Sequence, residues 1–223
     1  MAYDVITTFT RDPFDIVPED NATAAQPAVL GRQRELLVGD LLPSKFNMNR
    51  RSKLFIGNQL PAGVAPALWS ATTQQCGLFN PLGSGVNAVL VKMTATYVSG
   101  TGVVNGLALG YKTGCGATIA TAAPVITAAT LITPIALNMS GATAACQFMS
   151  AGITTAAPSY LMRLGVNNMV VTAATTSIPP YLTYYDFDGD VIIPPGGAIF
   201  VGADITGITA VYAISLMWAE VKP

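Results

Sequence analysis

Val89-Leu90-Val91-Lys92-Met93-Thr94-Ala95-Thr96-Tyr97 is the stretch on which the fold turns. Val89, Val91, Met93, Ala95 and Tyr97 recur at every second position, and Lys92, Thr94 and Thr96 fall between them. A helix would need its apolar residues three and four apart. Alternation gives an extended strand one apolar and one polar face instead. The valines and threonines are stiff at Cβ, which suits a pleated strand better than a helix. Gly100-Thr101-Gly102 then supplies a turn, and Val103 to Tyr111 returns as a second strand.

The same grammar recurs toward the C-terminus. Tyr181 to Phe187 is rich in aromatic residues, Asp188-Gly189 is a hairpin signal, and Val191 to Ile193 is a short apolar run. Pro194-Pro195-Gly196-Gly197 stops that run, and Ala198 to Ala203 and Ile208 to Val221 follow as strands. In the last strand Ile208, Tyr212, Ile214, Leu216 and Trp218 share a face. Val211, Ala213, Ser215, Met217 and Ala219 make an opposite face that is not properly polar either. That strand is expected to be covered on both sides. Residues 113–158 are rich in Ala, Thr and Gly and read as an insertion of long loops and short strands. No helical period of useful length and no long repeat interrupts the pattern. Short strands between Gly and Pro turns predict an all-β protein, a jelly-roll-type antiparallel β-sandwich.

Charge divides the chain into two parts. Residues 1–53 hold seven of the eleven Lys and Arg and seven of the twelve Asp and Glu. The remaining 170 residues carry only Lys92, Lys112, Arg163, Lys222, Asp186, Asp188, Asp190, Asp204 and Glu220. The expected organisation is an extended N-terminal arm, 1–53, and a sandwich, 54–223. Within the arm, Asp12-Pro13, Val17-Pro18 and Gln26-Pro27 push the backbone toward extended conformations. Leu30, Leu36, Leu37 and Leu41 suggest a short amphipathic helix, weakened by Gly31 and Gly39. Tyr3, Val5, Ile6, Phe9, Phe14, Ile16 and Val17 favour docking of the arm on another surface.

Several function classes are excluded by what is missing. The chain contains no histidine, so the commonest general base and zinc ligand are absent and no Ser-His-Asp or Cys-His triad can form. No enzyme and no cofactor are expected. A membrane-spanning helix needs about 20 mostly apolar residues. Cys115 to Leu137 is interrupted by Pro124 and Pro134, and Ile208 to Ala219 is too short, so no span is expected. The start lacks the basic and apolar regions of a secretory signal. Cys76, Cys115 and Cys146 are odd in number and far apart, and read as buried free thiols made in a reducing cytoplasm. With a net charge of −1, no global basic field attracts nucleic acid.

Asp186, Asp188 and Asp190 are the most site-like residues. At period two on one strand face, their carboxylates could meet a cation such as Ca²⁺. The spacing departs from an EF-hand loop, with glycine at the fourth position and no closing Glu, and a polar hairpin tip accounts for it as well. Glu220 is the only Glu of the body and is a weak candidate for two-carboxylate glycoside chemistry. Gly83-Ser84-Gly85 and Gly114-Cys115-Gly116 match no phosphate-binding loop and read as turns. Lys45, Arg50, Arg51 and Lys53 cluster at the junction of arm and body, with Arg32 and Arg34 upstream. With little aromatic interleaving, these six are assigned to a protein partner rather than to nucleic acid.

The run Phe79-Asn80-Pro81-Leu82-Gly83-Ser84-Gly85-Val86-Asn87-Ala88-Val89-Leu90-Val91, the segment Ile193-Pro194-Pro195-Gly196-Gly197-Ala198-Ile199-Phe200-Val201 and the ending Ser215-Leu216-Met217-Trp218-Ala219-Glu220 together carry a resemblance. Residues 54–221 resemble small virion structural proteins of tailed bacteriophages with jelly-roll folds. The charged arm is not part of that pattern. The resemblance implies a symmetric homotrimer on a capsid or tail, located in the virion and made in the host cytoplasm. Its implied partners are its own copies and the major capsid protein or other virion proteins. A capsid decoration or cement protein is the first expectation. A tail, fibre or head-spike component contacting the host surface, and a cation-dependent glycan-binding jelly roll, are the alternatives.

Overall fold

The computed structural model describes residues 44–100, 105–116, 126–154, 156–167, 182–204 and 210–222. A seven-residue helix, α1 (Ser44–Arg50), precedes the strands. These are β1 (Leu54–Asn58), β2 (Thr73–Gln74), β3 (Gly77–Phe79), β4 (Asn87–Ser99), β5 (Asn105–Lys112), β6 (Ile126–Ile132) and β7 (Ile135–Ala136). They continue with β8 (Gln147–Thr154), β9 (Ser159–Asn167), β10 (Leu182–Asp186), β11 (Ile192–Ile193), β12 (Ala198–Ala203) and β13 (Val211–Val221). The first sheet has the order β10-β4-β13-β1-β7, with β11 also on β4. The second has the order β2-β8-β3-β12-β5-β9, with β6 on β8.

Without the short and inserted strands, β10-β4-β13-β1 and β3-β12-β5-β9 form the two layers, and the strand pairs within them are antiparallel. The chain changes sheet from β1 to β3, to β4, to β5. It stays in one sheet from β5 to β9, then changes again at β10, β12 and β13. This is the jelly-roll order, two Greek keys wound into a sandwich. The all-β, jelly-roll-type expectation therefore holds.

The layers are held by their inward faces. Tyr212, Ile214, Leu216 and Trp218 of β13 are fully buried, as alternation requires. They meet Leu78, Leu109, Phe148, Ile199 and Val201 from the second sheet in one apolar core. Trp218 stacks on Phe55 of β1 at 6.2 Å. Gly57 of β1 leaves room for Phe148, since a Cβ there would lie 2.3 Å from its ring.

Two readings of the pattern are corrected. Met217 pairs with Lys92 but Trp218 pairs with Leu90, so Val91 is an extra residue in β4. This bulge reverses the faces on either side of it. Ala88, Leu90, Met93 and Ala95 point into the core, while Val89 and Val91 join an outer cluster with Leu54, Ala219, Met217, Leu137 and Met48. An unbroken alternation would have put Val89 and Val91 inside. The outer cluster covers β13 on its second side at the Ala219 end, while Val211, Ala213 and Ser215 are only half-buried.

The second correction concerns Asp188-Gly189. It is a turn but does not join a hairpin, because β10 and β11 do not pair with each other. Both lie antiparallel on β4, Asp186 opposite Lys92 and Ile192 opposite Val89. The turn is an excursion within one interrupted edge strand.

The insertion after β5 extends both sheets. β8 adds to the edge at β3 with β6 beyond it, and β7 adds to β1. Cys115, Ile126 and Met149 bury Phe79, Ala198 and Phe200 in a second cluster on the outer side of the second sheet. The core strands β1 and β3 are thereby paired on both sides, which removes bare edges that invite aggregation.

One compact unit spans Met48–Pro223 and another Met1–Asn47. The first thus begins shortly before the break in charge at residue 53. Lys53 N donates to Met48 O at 2.9 Å, and Glu220 N donates to Lys53 O at 2.8 Å, which ties these residues to the sandwich. The helix suggested by Leu30, Leu36, Leu37 and Leu41 lies outside the described residues, as do Arg32 and Arg34. Among the described residues, no helix is long and apolar enough to cross a membrane.

Candidate functional site

The three aspartates are separated by the turn that contains them. Phe187 is buried beside Tyr185, with ring centroids 4.7 Å apart, and anchors the start of the excursion. Asp190 N donates to Phe187 O at 2.8 Å and closes a four-residue turn. Its central residues, Asp188 at φ 45° and Gly189 at φ 95°, are both left-handed, which Asp and Gly tolerate best. Asp186 accepts from Tyr184 Oη at 3.0 Å and from Asp188 N at 3.3 Å. The Lys92 ammonium lies 4.2 Å from the centre of the Tyr184 ring. The expected common strand face is not formed, because the left-handed turn at Asp188 and Gly189 interrupts the strand. Among the described residues, no group of three or more His, Cys, Asp or Glu is arranged to hold a metal ion.

Asp190 leads instead to a different feature. The two sheets part near β11 and leave a cleft of about 250 Å³ at one corner of the sandwich. Ile193 from the first sheet and Ile199 from the second form its floor, each 2% exposed. Tyr111 and Leu161 line the second-sheet side, and Ile192 stands at the mouth with 57% of its surface exposed. Lys112 borders the cleft from the second sheet and Asp190 from the first. Among the described residues, neither of these side chains has a hydrogen-bond or ion-pair partner.

One buried amide holds the loops beside this corner. Asn80, fully buried, donates through Nδ2 to Val86 O and Ile193 O, each at 2.8 Å. Its Oδ1 accepts from Ser84 Oγ at 2.6 Å. Its own N–H donates to Gly197 O at 2.9 Å, and its carbonyl accepts from Gly196 N at 2.8 Å. Cys115 N donates to Gly196 O at 2.7 Å. The Phe79–Val86 and Ile193–Gly197 segments, far apart in sequence, are therefore neighbours joined by Asn80. Both segments carry turn signals in the sequence, but no local pattern marks Asn80 as the residue that joins them.

Glu220 has a structural setting. It is 5% exposed and accepts from Ala145 N at 3.0 Å, Cys146 N at 2.8 Å and Trp218 Nε1 at 3.2 Å. It fastens the entry to β8 onto the last strand. Asp204 is ion-paired with Arg163. Lys45, Arg50 and Lys53 are exposed and Arg51 is half-buried. Asn138, in a glycosylation-like triplet, donates to Ser52 Oγ at 2.7 Å and accepts from Ser140 N at 3.1 Å.

All three cysteines are free and buried, as their spacing suggested. Burial pushes the Cys115 thiol up to about 11, partly offset by nearby Lys112. Burial also raises Cys76 and Cys146, and the Glu220 carboxylate raises Cys146 further. Thiols held protonated and out of solvent are poor nucleophiles. A disulfide reagent at pH 8 is expected to leave the native protein unmodified and to titrate three thiols per chain after unfolding. Rapid labelling of the folded chain would contradict this.

Comparison with family models, with curated proteins and with solved structures returns no match.

Proposed function

We propose that this chain is a bacteriophage virion structural protein, a capsid decoration or cement protein that forms homotrimers and holds neighbouring shell subunits through its N-terminal arm. The observation that carries this reading is how the body uses its few reactive groups. Glu220 is buried against three N–H donors, Asp204 is ion-paired, and the thiols are buried. In this reading they serve packing. Jelly rolls serve as capsid domains and as lectins, so the fold is compatible with this role without requiring it.

Two further features support assembly. A body with nine charges in 170 residues suits a protein whose surface is covered by its own copies, since obligate interfaces are more apolar than others. The charge-rich segment before it, with exposed Lys45, Arg50 and Lys53 at its end, suits attachment to a second protein. Many copies attached at once would gain avidity.

Deleting residues 1–43 tests the attachment. The cut precedes α1, because Met48 packs on Leu54 and Val91 and should be kept. The truncated protein is expected to keep its oligomeric state and to lose co-sedimentation with expanded capsids. Undiminished binding to shells would refute the role of the arm.

A further inference from the structure

We propose that the corner cleft is the self-association surface, and that its occupant is a second copy of this chain, with Lys112 of one copy set against Asp190 of the other. This deepens the proposed homotrimer and rests on that reading. Large apolar side chains gather around the cleft: Ile192 is 57% exposed, Leu161 39% and Tyr111 38%. Exposed apolar surface beside a concavity marks contact with another molecule.

Charge identifies that molecule. The body carries nine charges, and several are engaged internally. Arg163 pairs with Asp204, Glu220 is buried against N–H donors, and Lys92 lies over Tyr184, whose hydroxyl donates to Asp186. Lys112 and Asp190 border one apolar cleft from opposite sheets, and neither has a hydrogen-bond or ion-pair partner among the described residues.

A surface with one cation and one anion flanking an apolar centre is complementary to itself. The copy needs to supply only what the chain already carries. Such a pair fixes register and rejects misaligned contacts, while the apolar centre supplies most of the affinity. In a trimer the pairing runs around the ring, Lys112 of each copy against Asp190 of the next.

The test uses the full chain and sedimentation equilibrium. Lys112→Glu and Asp190→Lys each bring like charges together. Each is expected to weaken association about tenfold or more. The double variant K112E/D190K reverses both charges and is expected to restore the native mass. Ile192→Ser is expected to weaken association without restoration by either reversal. These side chains are at least partly exposed, and unchanged circular dichroism will establish that the variants fold. If the native chain associates and the single reversals leave its mass unchanged, the cleft is not the interface, while the trimer reading stands. If the native chain is monomeric at all concentrations, both fail.

Discussion

Glu220→Ala is expected to destabilise the sandwich by about 4 kcal/mol. The carboxylate accepts from Ala145 N, Cys146 N and Trp218 Nε1. Removing it leaves those donors without their acceptor in a site that is 5% exposed. An unsatisfied buried donor costs about 1–3 kcal/mol, and hydrogen bonds to a charged group are the stronger kind. For a domain of this size, the loss corresponds to a fall in Tm of about 10 °C. Glu220→Gln keeps the shape but turns an NH₂ toward other donors, and is expected to cost about half as much. Thermal unfolding of both variants checks the order. A Glu220→Ala protein as stable as the native one would show that water satisfies the donors and that Glu220 does not fasten the insertion.

Asn80→Ala is the second large effect, with an expected cost of about 3 kcal/mol. The side chain donates to Val86 O and Ile193 O and accepts from Ser84 Oγ, all inside the protein. Alanine removes these bonds and leaves a cavity as well. Asn80→Asp is a sharper probe, because a carboxylate cannot donate to the two carbonyls and is expected to be worse than alanine at neutral pH. Denaturant titration measures both costs. Asn80 also supports the Ile193 side of the corner cleft. Any change in self-association should therefore follow the loss of stability and should not be restored by the charge-reversal pair. If Asn80→Asp proves milder than Asn80→Ala, the donor role assigned to the amide is wrong.

Much of the fold was legible because strand signals are local. Ala198 to Ala203 was bounded by the Pro-Pro-Gly-Gly stop, and β12 has those limits. From Val211 to Trp218 burial alternates, with the even positions Tyr212 to Trp218 buried, as the shared face read from the sequence requires. The short strands were harder. β1 contains glycine and β3 is only three residues long, so neither offers enough positions to show a period. Both are strands because β13, β12 and β8 pair with them. The site was less legible. The carboxylates at 186, 188 and 190 looked like one cluster because spacing assumes a continuous strand. The left-handed pair Asp188 and Gly189 breaks that continuity.

Composition and period were enough to settle the all-β class, the break in charge, the buried free thiols and the absence of any histidine-based triad. These follow from residue type and near neighbours, and no partner strand is needed to see them. Tertiary structure decided the rest. The bulge at Val91 turned two valines outward, because register on β13 rather than alternation within β4 sets the face. Glu220 became a fastening point only when Ala145 and Cys146, 75 and 74 residues away, were folded onto it. Lys112 and Asp190 came to border one cleft because the jelly roll stacks their sheets, a relation that a linear pattern cannot express.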